Sequence, residues 1–143
     1  MILVDVNVLL YAYHPRAPQH ESCRSWLQAA LGGEQPLALC WLVVLAFLRL
    51  STSPRVFDVP LTTSEAVIVV SGWLSRPQVV MLEPGERHWD ILQDVLNDGQ
   101  VSGPLMTDAA MAALALEHGA AVCTTDRDFR RFAGLRLIDP LAA

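Results

Sequence analysis

A chain of 143 residues has the length of one compact domain, so a single core spanning residues 1–143 is the starting expectation. Counting Gly and leaving out Tyr, 81 of its residues are apolar, above the roughly 45–50 % of ordinary soluble domains, which excludes a disordered tail and leaves apolar surface for a partner. All ten basic residues are Arg, against fifteen Asp and Glu for a net charge of −5. The absence of Lys excludes mechanisms that need a catalytic or phosphate-holding Lys, and the acidic balance argues against a general polyanion binder.

Met1 to Asp5 reads as a buried strand; its apolar stretch breaks at Asp5 and has no basic flank, unlike a signal peptide. Gln19 to Leu31 places Cys23, Trp26, Leu27 and Ala30 at helical spacing, closed by Gly32-Gly33. Leu37 to Cys40 reads as a second strand running into a helix over Trp41 to Leu50, stopped at Ser53-Pro54. The apolar run Leu37 to Leu48 ends at Arg49, short of the roughly twenty residues a membrane span needs, so no membrane partner is expected. Thr62-Thr63-Ser64-Glu65 has capping-box spacing and predicts a helix to about Ser75, before Pro77.

Val79 to Leu82 is the third strand, followed by a helix over Glu86 to Asn97 with Trp89, Leu92 and Leu96 on one face. Thr107-Asp108 opens an Ala-rich helix ending at His118-Gly119. Ala121 to Thr124 is a strand and Arg136 to Ile138 a short last one. This alternation predicts an α/β domain with a mainly parallel central sheet of about five strands flanked by helices. Cys23, Cys40 and Cys123 are widely separated without CxxC spacing, as expected of reduced core thiols in a cytoplasmic protein. The four Trp residues sit on apolar helical faces, which favours core or interface positions over base stacking.

Asp5 and Asp126 follow strand ends and Asp108 lies in the first turn of a helix, so all three can reach the sheet edge where α/β domains bind ligands. Singly, each is explained by a turn or a helix N-terminus. Together they point to a cation, because clustered carboxylates repel one another unless one holds them.

The segments Ile2-Leu3-Val4-Asp5-Val6-Asn7-Val8-Leu9-Leu10, Thr107-Asp108-Ala109 with Glu117-His118-Gly119-Ala120, and Thr124-Thr125-Asp126-Arg127-Asp128-Phe129 resemble the three signatures of PIN-domain ribonucleases. More narrowly, the chain resembles VapC-type toxins of bacterial toxin–antitoxin pairs over nearly its whole length. The resemblance implies a PIN-like, Rossmann-like fold. It also implies Mg²⁺ or Mn²⁺ with Asp5, Asp108 and Asp126 as catalytic metal ligands, and cleavage of structured RNA such as tRNA or rRNA by a metal-activated water. A VapB-like antitoxin and a homodimer are the partners it implies.

Asn7 and Thr124 stand two residues from Asp5 and Asp126, where an extended chain puts them on their neighbours' side to steer a water or phosphate. Asp128 supports the ligands or caps the next turn. Arg127, with Arg130, Arg131 and Arg136, grips phosphate or forms a solvated face paired with Asp128 and Asp139. One departure from the family pattern stands out: aligning Leu45-Ala46-Phe47-Leu48-Arg49 puts Ala46 where the family has Glu, and no acid occurs from Gln35 to Phe57. A second metal should suffer most, leaving a one-metal site, a role for Glu83 or Asp128, or a catalytically weakened PIN-like module that binds RNA or antitoxin without efficient cleavage. Phosphatase and receiver-domain readings of Asp5 fail for want of a Lys.

Overall fold

The computed structural model describes residues 1–142. Five strands, β1 (Ile2–Val4), β2 (Leu37–Leu39), β3 (Val79–Met81), β4 (Ala121–Cys123) and β5 (Leu137–Ile138), form one fully parallel sheet in the order β3-β2-β1-β4-β5. Leu3 and Val122 face each other across β1 and β4, and Leu3 and Ala38 across β1 and β2; all three are fully buried. Strands covered on both faces have no polar side to show, which is why they read as short unbroken apolar runs.

Six helices cover the sheet: α1 (Val6–Ala12), α2 (His20–Gly32), α3 (Trp41–Ser51), α4 (Thr63–Leu74), α5 (His88–Asp98) and α6 (Met106–His118). The capping box is present as expected: Thr62 Oγ1 accepts from the Glu65 N–H and Glu65 accepts from the Thr62 N–H. Gly119, at φ 66°, takes the left-handed conformation that closes α6. The reduced cysteines are all buried, and burial pushes the Cys23 thiol up to about 11.

The sequence reading lacks α1. Residues after Asp5 were expected to continue extended, but Asp5 turns the chain: its Oδ1 accepts from the Val6 N–H at 2.7 Å and caps a seven-residue helix. That helix packs on α2 and α3. Tyr13, Phe47 and Trp73 form a three-ring cluster with centroids 4.7 to 5.8 Å apart, and Trp73 Nε1 donates to the Tyr13 hydroxyl. Of the core or interface positions expected for tryptophan, Trp73 takes a core one, and Trp41 and Trp89 are exposed at 52 % and 64 %.

From β1 the chain moves outward through β2 to β3, then returns across the sheet to β4 on the other side of β1. The carboxyl ends of β1 and β4 therefore flank the point where strand order reverses, the usual position of a ligand crevice in such sheets. Asp5 and Thr124 directly follow those two strands.

Candidate active site

Asp5 is almost fully buried, and both its carboxylate oxygens are engaged. Oδ1 accepts from Val6 N, while Oδ2 accepts from Thr124 Oγ1 at 2.7 Å and from Asn7 Nδ2 at 3.1 Å. Thr124 Oγ1 in turn accepts from the Asp126 N–H at 3.0 Å, and Asn7 Oδ1 accepts from the Thr125 N–H. The ends of β1 and β4 are thus tied by side chains through a buried network, which fixes the turn carrying Asp126. Such networks hold geometry firmly when every member is satisfied. Asn7 and Thr124 are partners of Asp5, but through a helix cap and a turn rather than through the extended chain expected for them.

Asp126 Oδ1 accepts from the Asp128 N–H at 2.9 Å, capping a 3₁₀ segment over Arg127–Arg131. That cap swings Asp128 back. Asp108, Asp126 and Asp128 each bring a carboxylate oxygen within 4.8 Å of the others. Asp5 stands outside that triplet, its oxygens turned onto its own cap and Thr124, yet it is close enough to act on Asp108 by charge. Glu83 is elsewhere: its carbonyl accepts from His118, and its carboxylate is no part of the converging set. Ala46 lies half-buried on α3, beside the wholly buried Phe47.

The electrostatics are those of a site short of positive charge. Burial, then the charges of Asp5, Asp126 and Asp128, push the Asp108 carboxyl up to about 6, and Arg131 only partly offsets them. Burial also raises Asp5 above the ordinary carboxylate range, against its hydrogen bonds from Thr124 and Val6. Three converging carboxylates with no nitrogen or sulfur donor among them fit a hard divalent cation such as Mg²⁺ or Mn²⁺.

Arg127 and Arg130 line a cavity of about 190 Å³ with Thr124, Thr125 and Asp126, next to the triplet. Among the described residues no Arg of this segment forms an ion pair with Asp128 or Asp139, although Arg127, Arg130, Arg131 and Arg136 are all exposed, as a solvated face requires. Arg131 instead donates to the Gly99 carbonyl and Arg136 to the Gly119 carbonyl.

A family profile described as PIN domain matches residues 2–135. The chain is 40 % identical over 141 residues to "Ribonuclease VapC33" of Mycobacterium tuberculosis, covering 99 % of both chains. It is 39 % identical over 140 residues to "Ribonuclease VapC25" of the same organism, covering 98 % of this chain and 99 % of that one. Among solved structures, VapBC-1 from nontypeable Haemophilus influenzae superposes with TM-score 0.70 at 16 % identity, over 99 % of this chain and 100 % of that one. VapBC2 from Rickettsia felis bound to a promoter DNA fragment gives TM-score 0.68 at 16 % identity, over 96 % of this chain and 98 % of that one. At such identity these two are likenesses of fold.

Proposed function

The chain belongs to the PIN-domain family, and from that premise we propose that it is a divalent-metal-dependent endoribonuclease, the toxin of a toxin–antitoxin pair. The observation that carries the reading is the convergence of Asp108, Asp126 and Asp128 at the strand-order reversal, with the raised Asp108 carboxyl marking an unmet demand for positive charge. Relatives named as VapC ribonucleases over essentially the full length support the same activity.

In this reading Asp108, Asp126 and Asp128 hold Mg²⁺ or Mn²⁺, with Asp128 standing in for the Glu that Ala46 replaces. Asp5 adds its charge and holds Asp126 in place through Thr124, with Asn7 bracing both. When bound, the cation supplies the acidity that makes a water nucleophilic at neutral pH and offsets charge on the phosphate. Arg127 and Arg130, which pair with no carboxylate among the described residues, grip the phosphate on the Asp126 side.

Structured RNA, tRNA or rRNA, is the proposed substrate and a VapB-like antitoxin the proposed partner; the solved VapBC structures with a similar fold support the latter. The exposed faces of α3 (Trp41, Leu42, Leu45) and α4 (Val67, Ile68) suit a homodimer or the antitoxin. Among the described residues no helix is long and apolar enough to cross a membrane. The test is Mn²⁺-dependent cleavage of total RNA, which Asp108→Asn should abolish. A protein that binds RNA and Mn²⁺ tightly yet leaves RNA intact would favour the weakened binding module instead.

A further inference from the structure

A second cavity, of about 450 Å³, is lined by Asn7, whose amide also meets Thr124 and Thr125 in the lining of the Arg127/Arg130 cavity. Two segments far apart in sequence frame it: α1 with the turn after it, and the Ser53–Pro60 connection between α3 and α4. They meet where the His14 ring stacks on Phe57, centroids 4.6 Å apart, and where Arg16 approaches Asp58 at 3.6 Å. Asn7, Leu10 and Tyr11 recur at helical spacing along α1 and His14 follows in the turn after it, all on the wall, so one face leads from the acid site into the cavity. Asn7 is its inner end, and the same amide binds Asp5, Thr124 and Thr125.

Three properties say what would fill it. Its walls are largely apolar, with Leu10, Tyr11 and Phe57, as the face of a base requires. His14, on the wall, lies nearly parallel to Phe57 and extends its aromatic surface. At the rim, Arg16 is 76 % exposed and its pairing with Asp58 is long and solvated, so little is lost when the guanidinium turns to a phosphate. An apolar slot walled by aromatic rings, with a cation at its mouth and Asn7 at its inner end, has the chemistry of a nucleotide site, and its link through Asn7 to Asp5 and Thr124 sets that nucleotide beside the acid site.

We propose that this cavity holds an unpaired nucleotide of the RNA substrate next to the scissile phosphate, its base against Tyr11 and His14 and its phosphate at Arg16. The strand would then cross Asn7 between this cavity and the Arg127/Arg130 side. The inference rests on the ribonuclease reading above, but its test does not need catalysis. In an Asp108→Asn background, affinity is measured by fluorescence anisotropy for a short labelled single-stranded RNA of mixed sequence and for a matched strand of abasic residues. Arg16→Gln, at an exposed site that cannot disturb folding, should weaken RNA binding about ten-fold, one phosphate contact's worth. Ala17→Phe, which fills the cavity without removing a polar group, should erase the preference for the base-bearing strand, with circular dichroism showing that it folds.

In otherwise wild-type protein, Arg16→Gln should raise KM with kcat unchanged. Unchanged affinity and KM in both variants would overturn the proposal. So would unchanged RNA affinity beside weakened binding of a peptide partner, which would give the cavity to protein recognition. A wild-type protein that binds Mn²⁺ but cuts no RNA would remove the ribonuclease reading while the affinity series still decides the cavity.

Discussion

Asp108→Asn should make the metal-free protein more stable at alkaline pH, and less so as the pH falls. The folded-state carboxyl is raised from 3.8 to about 6 by burial and three neighbouring carboxylates. A raised carboxyl means that the fold prefers the protonated form. The stability associated with Asp108 is therefore intact below about pH 4 and is lost as the pH rises through about 6. Two units correspond to ~3 kcal/mol; because Asp108 is only half-buried and solvent screens its neighbours, about 1–2 kcal/mol is the expected gain at pH 8. Urea denaturation of both proteins in chelator at pH 4.5 and pH 8 measures it. In excess Mn²⁺ the order should reverse, since a cation at a hundred times its Kd stabilises the wild type by about 2.7 kcal/mol. A variant no more stable than wild type at pH 8 in chelator, or a gain that does not change with pH, would refute the account of the site as a charge-strained cage.

Other perturbations separate the parts of the structure. Thr124→Val removes the hydroxyl between Asp5 and Asp126 and should weaken Mn²⁺ binding by calorimetry about 10–100-fold, the usual cost of losing an outer partner of a metal site. Phe47→Ala, at a fully buried ring packed on Tyr13 and Trp73, should cost about 3–5 kcal/mol in denaturant without altering Mn²⁺ affinity in the protein that remains folded. Thr62→Ala should cost about 1 kcal/mol through the capping box and leave RNA cleavage unchanged.

Much of this fold is legible because its local signals agree with one another. The Thr62/Glu65 box, the Gly119 stop and the short apolar runs each carry a physical cause that survives packing. The first helix does not: Val6 to Ala12 is a nearly unbroken apolar run packed on α2 and α3, and its two polar residues are too few to mark a face in the sequence. The one available signal was Asp5 itself, whose side chain is an N-cap. Asp5, its oxygens committed to Val6, Asn7 and Thr124, lies outside the triplet yet acts on Asp108 by charge, and Asp128, folded back by the cap of Asp126, converges with Asp108 and Asp126. Spacing placed the acids at one sheet edge, but which oxygens converge depends on hydrogen bonds between residues more than a hundred positions apart. The same holds for the cavity beside Asn7, whose walls come from two distant segments.

The central claim, that the acidic triplet is a divalent-metal site for RNA cleavage, is tested most directly by incubating the purified protein with total RNA and Mn²⁺ beside Asp108→Asn and a chelated control. Discrete RNA fragments that require Mn²⁺ and vanish in the variant are the predicted result. Fragments that persist in chelator or in Asp108→Asn would contradict it.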